Sequence, residues 1–253
     1  MRLHYRRYGA GEPLIILHGL FGSSDNWHTL ARRWGQSFQV FTLDQRNHGS
    51  SPHESAMNYA ELTQDLHQFI KQERLEAIHI VGHSMGGKVG MRFASTHSDL
   101  VKSLTVLDIG LDRVEGKHEI ILKAVSAINP DEFSSRDEIK RELQNLIESP
   151  PVQQFLLKNI LRRLDGSFAW KFNREALLEH YSDLTMDLDL DQSFLGAVLF
   201  LRGENSDYLE AALPTEILQY FPLARLQTIE GAGHWLHADK PDVLSTLVMD
   251  FIS

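Results

Sequence analysis

Ser84 stands in Gly82-His83-Ser84-Met85-Gly86-Gly87, between an apolar run and a helical pattern. A G-x-S-x-G segment at a strand-to-helix junction holds its serine at the apex of a sharp turn, and the flanking glycines let strand and helix approach closely enough for that turn to form. The hydroxyl then projects from the carboxyl edge of a sheet. The first N–H groups of the following helix point at the same spot, so an oxyanion forming there meets free donors and the positive end of a helix dipole. Ser84 therefore reads as a nucleophile, with the N–H of Met85 as one oxyanion-hole donor.

A serine hydroxyl attacks only when a base takes its proton, which calls for an imidazole within hydrogen-bond reach. Of the 13 histidines, His234 lies in a glycine-rich loop, Gly231-Ala232-Gly233-His234-Trp235, after the last apolar run. His237 follows at a spacing that suits a metal, but no acidic or thiolate companion is evident, and no metal site is expected. A carboxylate must then hold the imidazole's other nitrogen and stabilise its charged form. Asp108, at the end of the apolar stretch Val106-Leu107-Asp108-Ile109-Gly110, is one source; the loop Gly203-Glu204-Asn205-Ser206-Asp207 is another.

Composition narrows the chemistry further. A chain of 253 residues fits one large domain, or a core with an insertion. The absence of cysteine excludes disulfides, thiolate metal sites and a cysteine nucleophile together. With 34 acidic against 25 basic residues and no basic arm, nucleic acid is not an expected partner. The first residues, MRLHYRRYGAGEP, have no apolar core of signal-peptide length, and no run approaches a membrane span. The expectation is a soluble cytoplasmic protein, monomer or homodimer.

The elements that must position these groups alternate. Residues 3–8 read as an edge strand. Pro13 to Leu17 is a continuous apolar run too short for a helix and reads as a strand buried on both faces; the run before Ser84 reads as another short buried strand, and Gln39 to Leu43, Leu100 to Ile109, Ala197 to Leu201 and Leu226 to Ile229 read as further strands. Ser24 or Asp25 caps a helix through Trp34, Tyr59 to Gln72 has a helical period, and Asp239 to Ile252 closes the chain as an amphipathic helix. Such alternation predicts an α/β fold with a doubly wound, mostly parallel sheet. It stops between Leu111 and Gln192, where Ile120 to Ile128, Ile139 to Ile147, Val152 to Leu161 and Glu175 to Tyr181 read as helices and Phe168 to Phe172 as extended. The division expected is a core of residues 1–110 and 193–253 with a helical cap of residues 111–192. Asp44, Arg46 and His48 are expected to brace loops, and Lys88, on the helix after Ser84, to be solvated.

The ordered set HGLFGS, DQRNHGSSP, GHSMGGK, LDIG, FLLKN with DGSFAWKFN, and GAGHWLHADKP resembles the α/β-hydrolases over the whole length. More narrowly, it resembles the small bacterial esterases of the YbfF type and their mitochondrial relatives. Most of that fold carries its acid in a G-x-x-D loop after the strand ending Leu199-Phe200-Leu201. Here serine occupies that position and Asp207 comes one residue late. The resemblance to the narrower group implies Asp108 as the acid, with Ser206 as an auxiliary. It also implies the N–H of Leu20 as the second oxyanion donor, and a cofactor-free serine hydrolase that cleaves carboxylic esters, and also acyl thioesters, through an acyl-enzyme. A serine haloperoxidase, a carbon–carbon bond hydrolase and a weakly catalytic small-molecule receptor on the same scaffold are the alternatives. The cap is expected to cover Ser84 and to give the acyl pocket large apolar groups from Phe155, Trp170 and Phe172.

Overall fold

Successive residues of Pro13–Leu17 point to opposite sides and both sides are buried: Leu14 and Ile16 join one apolar cluster, Ile15 and Leu17 another. That is why the run carries no polar alternation, and it marks a strand covered by helices on both faces. In the computed structural model, which describes residues 1–114 and 116–253, this strand lies inside a seven-stranded sheet. The strands of the first half are β1 (Tyr5–Tyr8), β2 (Pro13–Leu17), β3 (Gln39–Leu43), β4 (Ile78–His83) and β5 (Val101–Leu107), with helices α1 (His28–Trp34), α2 (Tyr59–Glu73) and α3 (Met85–Thr96) between them. The chain then forms α4 (Glu119–Ala127), α5 (Arg136–Leu146), α6 (Pro150–Lys158), the hairpin strands β6 (Ile160–Arg162) and β7 (Phe168–Trp170), α7 (Arg174–Glu179) and α8 (Tyr181–Thr185). It returns to the sheet as β8 (Ala197–Gly203), α9 (Thr215–Tyr220), β9 (Ala224–Ile229), α10 (Leu236–Asp239) and α11 (Pro241–Ile252).

The strand order is β1-β3-β2-β4-β5-β8-β9, with β1 antiparallel to β3 and every other pair parallel. From β2 the chain first moves outward to β3 and then crosses back to β4 on the other side. Open α/β sheets bind ligands at such a switch, beyond the carboxyl ends of the strands. Those ends, on β2, β4, β5, β8 and β9, carry the loops with Leu20, Ser84, Asp108, Ser206 and His234. Among the described residues no helix is long and apolar enough to cross a membrane.

Three local expectations are corrected. The helix expected through Leu161 ends at Lys158, and Ile160–Arg162 instead pairs antiparallel with Phe168–Trp170, Ile160 opposite Trp170. The C-terminal helix begins at Pro241 rather than Asp239, after the separate short α10. Lys88 is buried, not solvated: its ammonium donates to the carbonyls of Leu111 (3.2 Å), Asp112 (2.8 Å) and Met186 (2.8 Å). These carbonyls belong to the segments that leave β5 and return from α8, so one cation on α3 ties both. Burial lowers its pKa to about 8.

Candidate active site

The turn after β4 is built by close approach. A Cβ on Gly82 would lie 2.3 Å from the carbonyl oxygen of Gly86, and one on Gly86 would lie 2.4 Å from that of Leu17. With glycine at both places the chain reverses at Ser84, whose φ of 51° and ψ of −117° are strained for a residue with a side chain. Met85 opens α3 directly afterwards, so its N–H belongs to the first turn, which has no intrahelical acceptor.

On the neighbouring strand the chain turns at Asp108, which is fully buried. Its Oδ1 accepts from the N–H of Gly203 at 2.8 Å. Its Oδ2 accepts from His234 Nδ1 at 2.8 Å and from the hydroxyl of Ser206. Bonding Nδ1 to a carboxylate puts the proton there and leaves Nε2 bare, the tautomer a general base needs. The carbonyl of His234 accepts from Nε2 of His83 at 2.8 Å, which fixes the loop's backbone as well as its ring. Asp207 sits elsewhere: exposed, it ion-pairs with Lys117, which together with its own hydrogen bond to that ammonium holds its carboxyl below the usual range.

Asp44, Arg46 and His48 hold the loops behind the site. Asp44 accepts from the N–H groups of Ser24 (2.7 Å) and Ser50 (2.9 Å). Arg46 pairs with Asp65 (2.6 Å) and Glu61 (2.8 Å). Nε2 of His48 accepts from the N–H of Phe21 at 3.1 Å, one residue beyond Leu20.

The family model described as alpha/beta hydrolase fold matches residues 12–134. Esterase YbfF of Escherichia coli is 33% identical, with 100% of both chains covered. The sn-1-specific diacylglycerol lipase ABHD11 of Danio rerio is 35% identical over 95% of this chain and 78% of its own. The chain belongs to the α/β-hydrolases. A solved structure titled "Marine microorganism esterase" is 42% identical and superposes with a TM-score of 0.95 over 98% of each chain.

In this α/β-hydrolase Ser84 and His234 line one cavity of about 390 Å³, with Leu20 at its edge. Its walls are mostly apolar. Ile120, Ile121, Ile147, Val152 and Phe155 come from the segment between β5 and β8, and Trp27, Tyr208 and Trp235 from elsewhere. Phe155 stacks on Trp235 with ring centroids 5.4 Å apart. Trp170 and Phe172 are not in this wall, contrary to expectation: they stack on each other at 5.0 Å, Phe172 meets Phe21 at 5.1 Å, and the Trp170 indole donates to the carbonyl of Ile128 at 3.2 Å. Both serve the interior of the inserted segment and its seat on the core. Tyr208, His118 and Trp235 escaped the sequence reading; Tyr208 at least had a signal, being an aromatic two residues after Ser206 in the same loop.

Four other histidines line the cavity, and burial pushes each of them down from the ordinary histidine range. His18 is lowered, His83 is held well below the ordinary value, His118 falls to about 4 and His237 to about 3. His237 stacks on Trp27 at 4.6 Å. Among the described residues no group of three or more acidic or histidine side chains could hold a metal ion.

Proposed function

We propose that this protein is a serine carboxylesterase in which Ser84 attacks the ester carbonyl, His234 takes and returns the proton, and Asp108 orients His234. The observation that carries the reading is the 2.8 Å bond from His234 Nδ1 to Asp108 Oδ2, with His234 opening into the cavity that holds Ser84. Ester cleavage is in keeping with the esterase and the diacylglycerol lipase to which the chain is similar.

Attack would put negative charge on the carbonyl oxygen beside the N–H groups of Met85 and Leu20, which need no reorganisation to receive it. The imidazolium formed at the same moment faces the Asp108 carboxylate, whose other partners, Gly203 N–H and Ser206, keep it aimed. His234 then protonates the leaving alkoxide, the alcohol departs, and water activated by the same imidazole releases the acid. Acyl thioesters fit the same steps with a thiolate as leaving group. Ser206 acts on Asp108 as an auxiliary, and the ion pair of Asp207 with Lys117 speaks for Asp108 over that alternative acid.

Residues 111–192 form a cap in this proposal, over a core of residues 1–110 and 193–253, and Phe155 sets acyl length. An apolar cavity of about 390 Å³ suits an uncharged acyl chain of moderate length better than a polar acid. The acidic charge balance favours work away from nucleic acid, and we place the enzyme in the cytoplasm. Nitrophenyl esters and acyl thioesters of increasing chain length test the function: turnover should peak at intermediate length and vanish with Ser84→Ala. A protein inert to the whole series would refute it.

A further inference from the structure

Tyr208, in the loop after β8, lies flat on the imidazole of His234, with ring centroids 3.6 Å apart and planes 16° from parallel. Parallel rings at that distance place the face of the phenol, its electron-rich side, against the imidazole. In the proposed reaction that imidazole becomes a cation at the moment of attack, and a cation over an aromatic face is stabilised most where water is scarce. We propose that Tyr208 is a positioning residue for the general base: its ring fixes the plane in which Nδ1 reaches Asp108, and its π-face stabilises the imidazolium of the transition state. The inference rests on the reading of Ser84, His234 and Asp108 as the ester-cleaving set.

The surroundings hold Tyr208 in that place from both parts of the molecule. Its backbone N–H donates to Ser206 Oγ at 3.3 Å, joining it to the residue that already bonds Asp108. Its hydroxyl lies 3.4 Å from Nε2 of His118, just ahead of α4, whose Nδ1 is 3.0 Å from the hydroxyl of Tyr181, the first residue of α8. A neutral imidazole has one donor and one acceptor, so it satisfies one tyrosine of each kind. The inserted segment thereby touches the catalytic histidine through one ring. Of the other charged or titratable neighbours, His83, with its ring centroid 4.7 Å from that of His234, and His237 are kept neutral by burial. Lys117, 5.8 Å from the Tyr208 ring centroid, is paired with Asp207. Among the described residues Asp108 supplies the anion in contact with the ring nitrogen.

The test replaces Tyr208 by phenylalanine, by phenylalanines of increasing fluorination and by leucine, and follows kcat and KM for nitrophenyl butyrate. Tyr208→Phe keeps the face while giving up the hydroxyl's contact with His118, and is the reference for the fluorinated series. Tyr208→Leu should lose roughly five- to thirtyfold in kcat, with KM changed less than about twofold. Each added fluorine drains the face without altering its shape, so kcat should fall in order along that series. A flat fluorine series, or leucine equal to phenylalanine, would overturn the proposal. Thermal unfolding checks that each variant folds, and if leucine fails there the fluorinated series decides. A wild-type protein inert to every ester would bring down the underlying function and this inference with it, whereas an active wild type with a flat series brings down the inference alone.

Discussion

Ser84 and Asp108 occupy the same position on adjacent strands and share a positive φ. His83 and Leu107 are register partners at the ends of β4 and β5, and the next residue on each strand turns to positive φ, 51° at Ser84 and 54° at Asp108. Each is tied sideways by its own N–H, Ser84 to the carbonyl of Leu107 at 3.0 Å and Asp108 to that of Leu201 at 2.8 Å. Two residues that glycine would occupy more comfortably are thus held by the sheet itself, at about 1–3 kcal/mol each. The strain lies at the two positions whose side chains the proposed chemistry uses.

That strain can be measured. Glycine at position 84 removes the Cβ that opposes the turn, so Ser84→Gly should be more stable than Ser84→Ala by about 1 kcal/mol in urea unfolding, although both lose activity. Alanine equal to or more stable than glycine would show that the turn is unstrained.

The two candidate acids separate by mutation. Asp108→Asn leaves an amide where the Nδ1 proton needs an acceptor, and kcat should fall by about a thousandfold or more. Asp207→Asn, which touches only the exposed pair with Lys117, should stay within about twofold in kcat and lose little stability. Equal losses from the two would reassign the acid.

Activity should rise with pH through a single-proton limb. The base must be neutral to accept the Ser84 proton, and the other titratable rings in the cavity do not interfere: His118 is lowered to about 4 and His237 to about 3, with His83 and His18 also shifted down by burial. All four are shifted toward the neutral form, so kcat/KM measured from roughly pH 5 to 8 should show one ionisation with unit slope. A slope of two would mean that a second histidine must lose its proton.

Phe155 and Trp170 are expected to behave differently. Phe155 faces the cavity, so Phe155→Ala should shift preference toward longer acyl chains, by about 1–3 kcal/mol of discrimination per methylene contacted. Trp170 is 8% exposed and packed on Phe172, so Trp170→Ala should cost about 3–5 kcal/mol of stability while leaving the ratio of butyrate to octanoate turnover unchanged. A chain-length shift from Trp170 and none from Phe155 would invert the placement.

The inner strands that carry the site, β2, β4, β5 and β8, were legible because burial on both faces leaves a plain mark, a short and mostly apolar run, whereas β9 at the sheet's edge is largely exposed. The strands at Pro13–Leu17 and Gln39–Leu43 fall where the sequence alone places them. What was illegible depends on distant partners. Ile160 and Leu161 continue the apolar spacing of α6, and only pairing with Phe168–Trp170 across a turn takes them out of the helix. Lys88 looks like any polar residue of an amphipathic helix until the segments around Leu111 and Met186 close over it. Trp170 and Phe172 have the size of pocket residues, and size alone does not say which way a side chain faces. The partner of His234 was ambiguous because two strand-end loops each carry an aspartate; His234 Nδ1 bonds Asp108.

The most direct test of the account is where a fluorophosphonate lands. The probe reacts with an activated serine and stays bound, so mass spectrometry of the digested protein can read its position. The account predicts a single adduct on Ser84, formed at least a hundredfold more slowly in His234→Ala and Asp108→Asn. An adduct on another residue, or Ser84→Ala protein that turns over nitrophenyl butyrate as fast as the wild type, would contradict it.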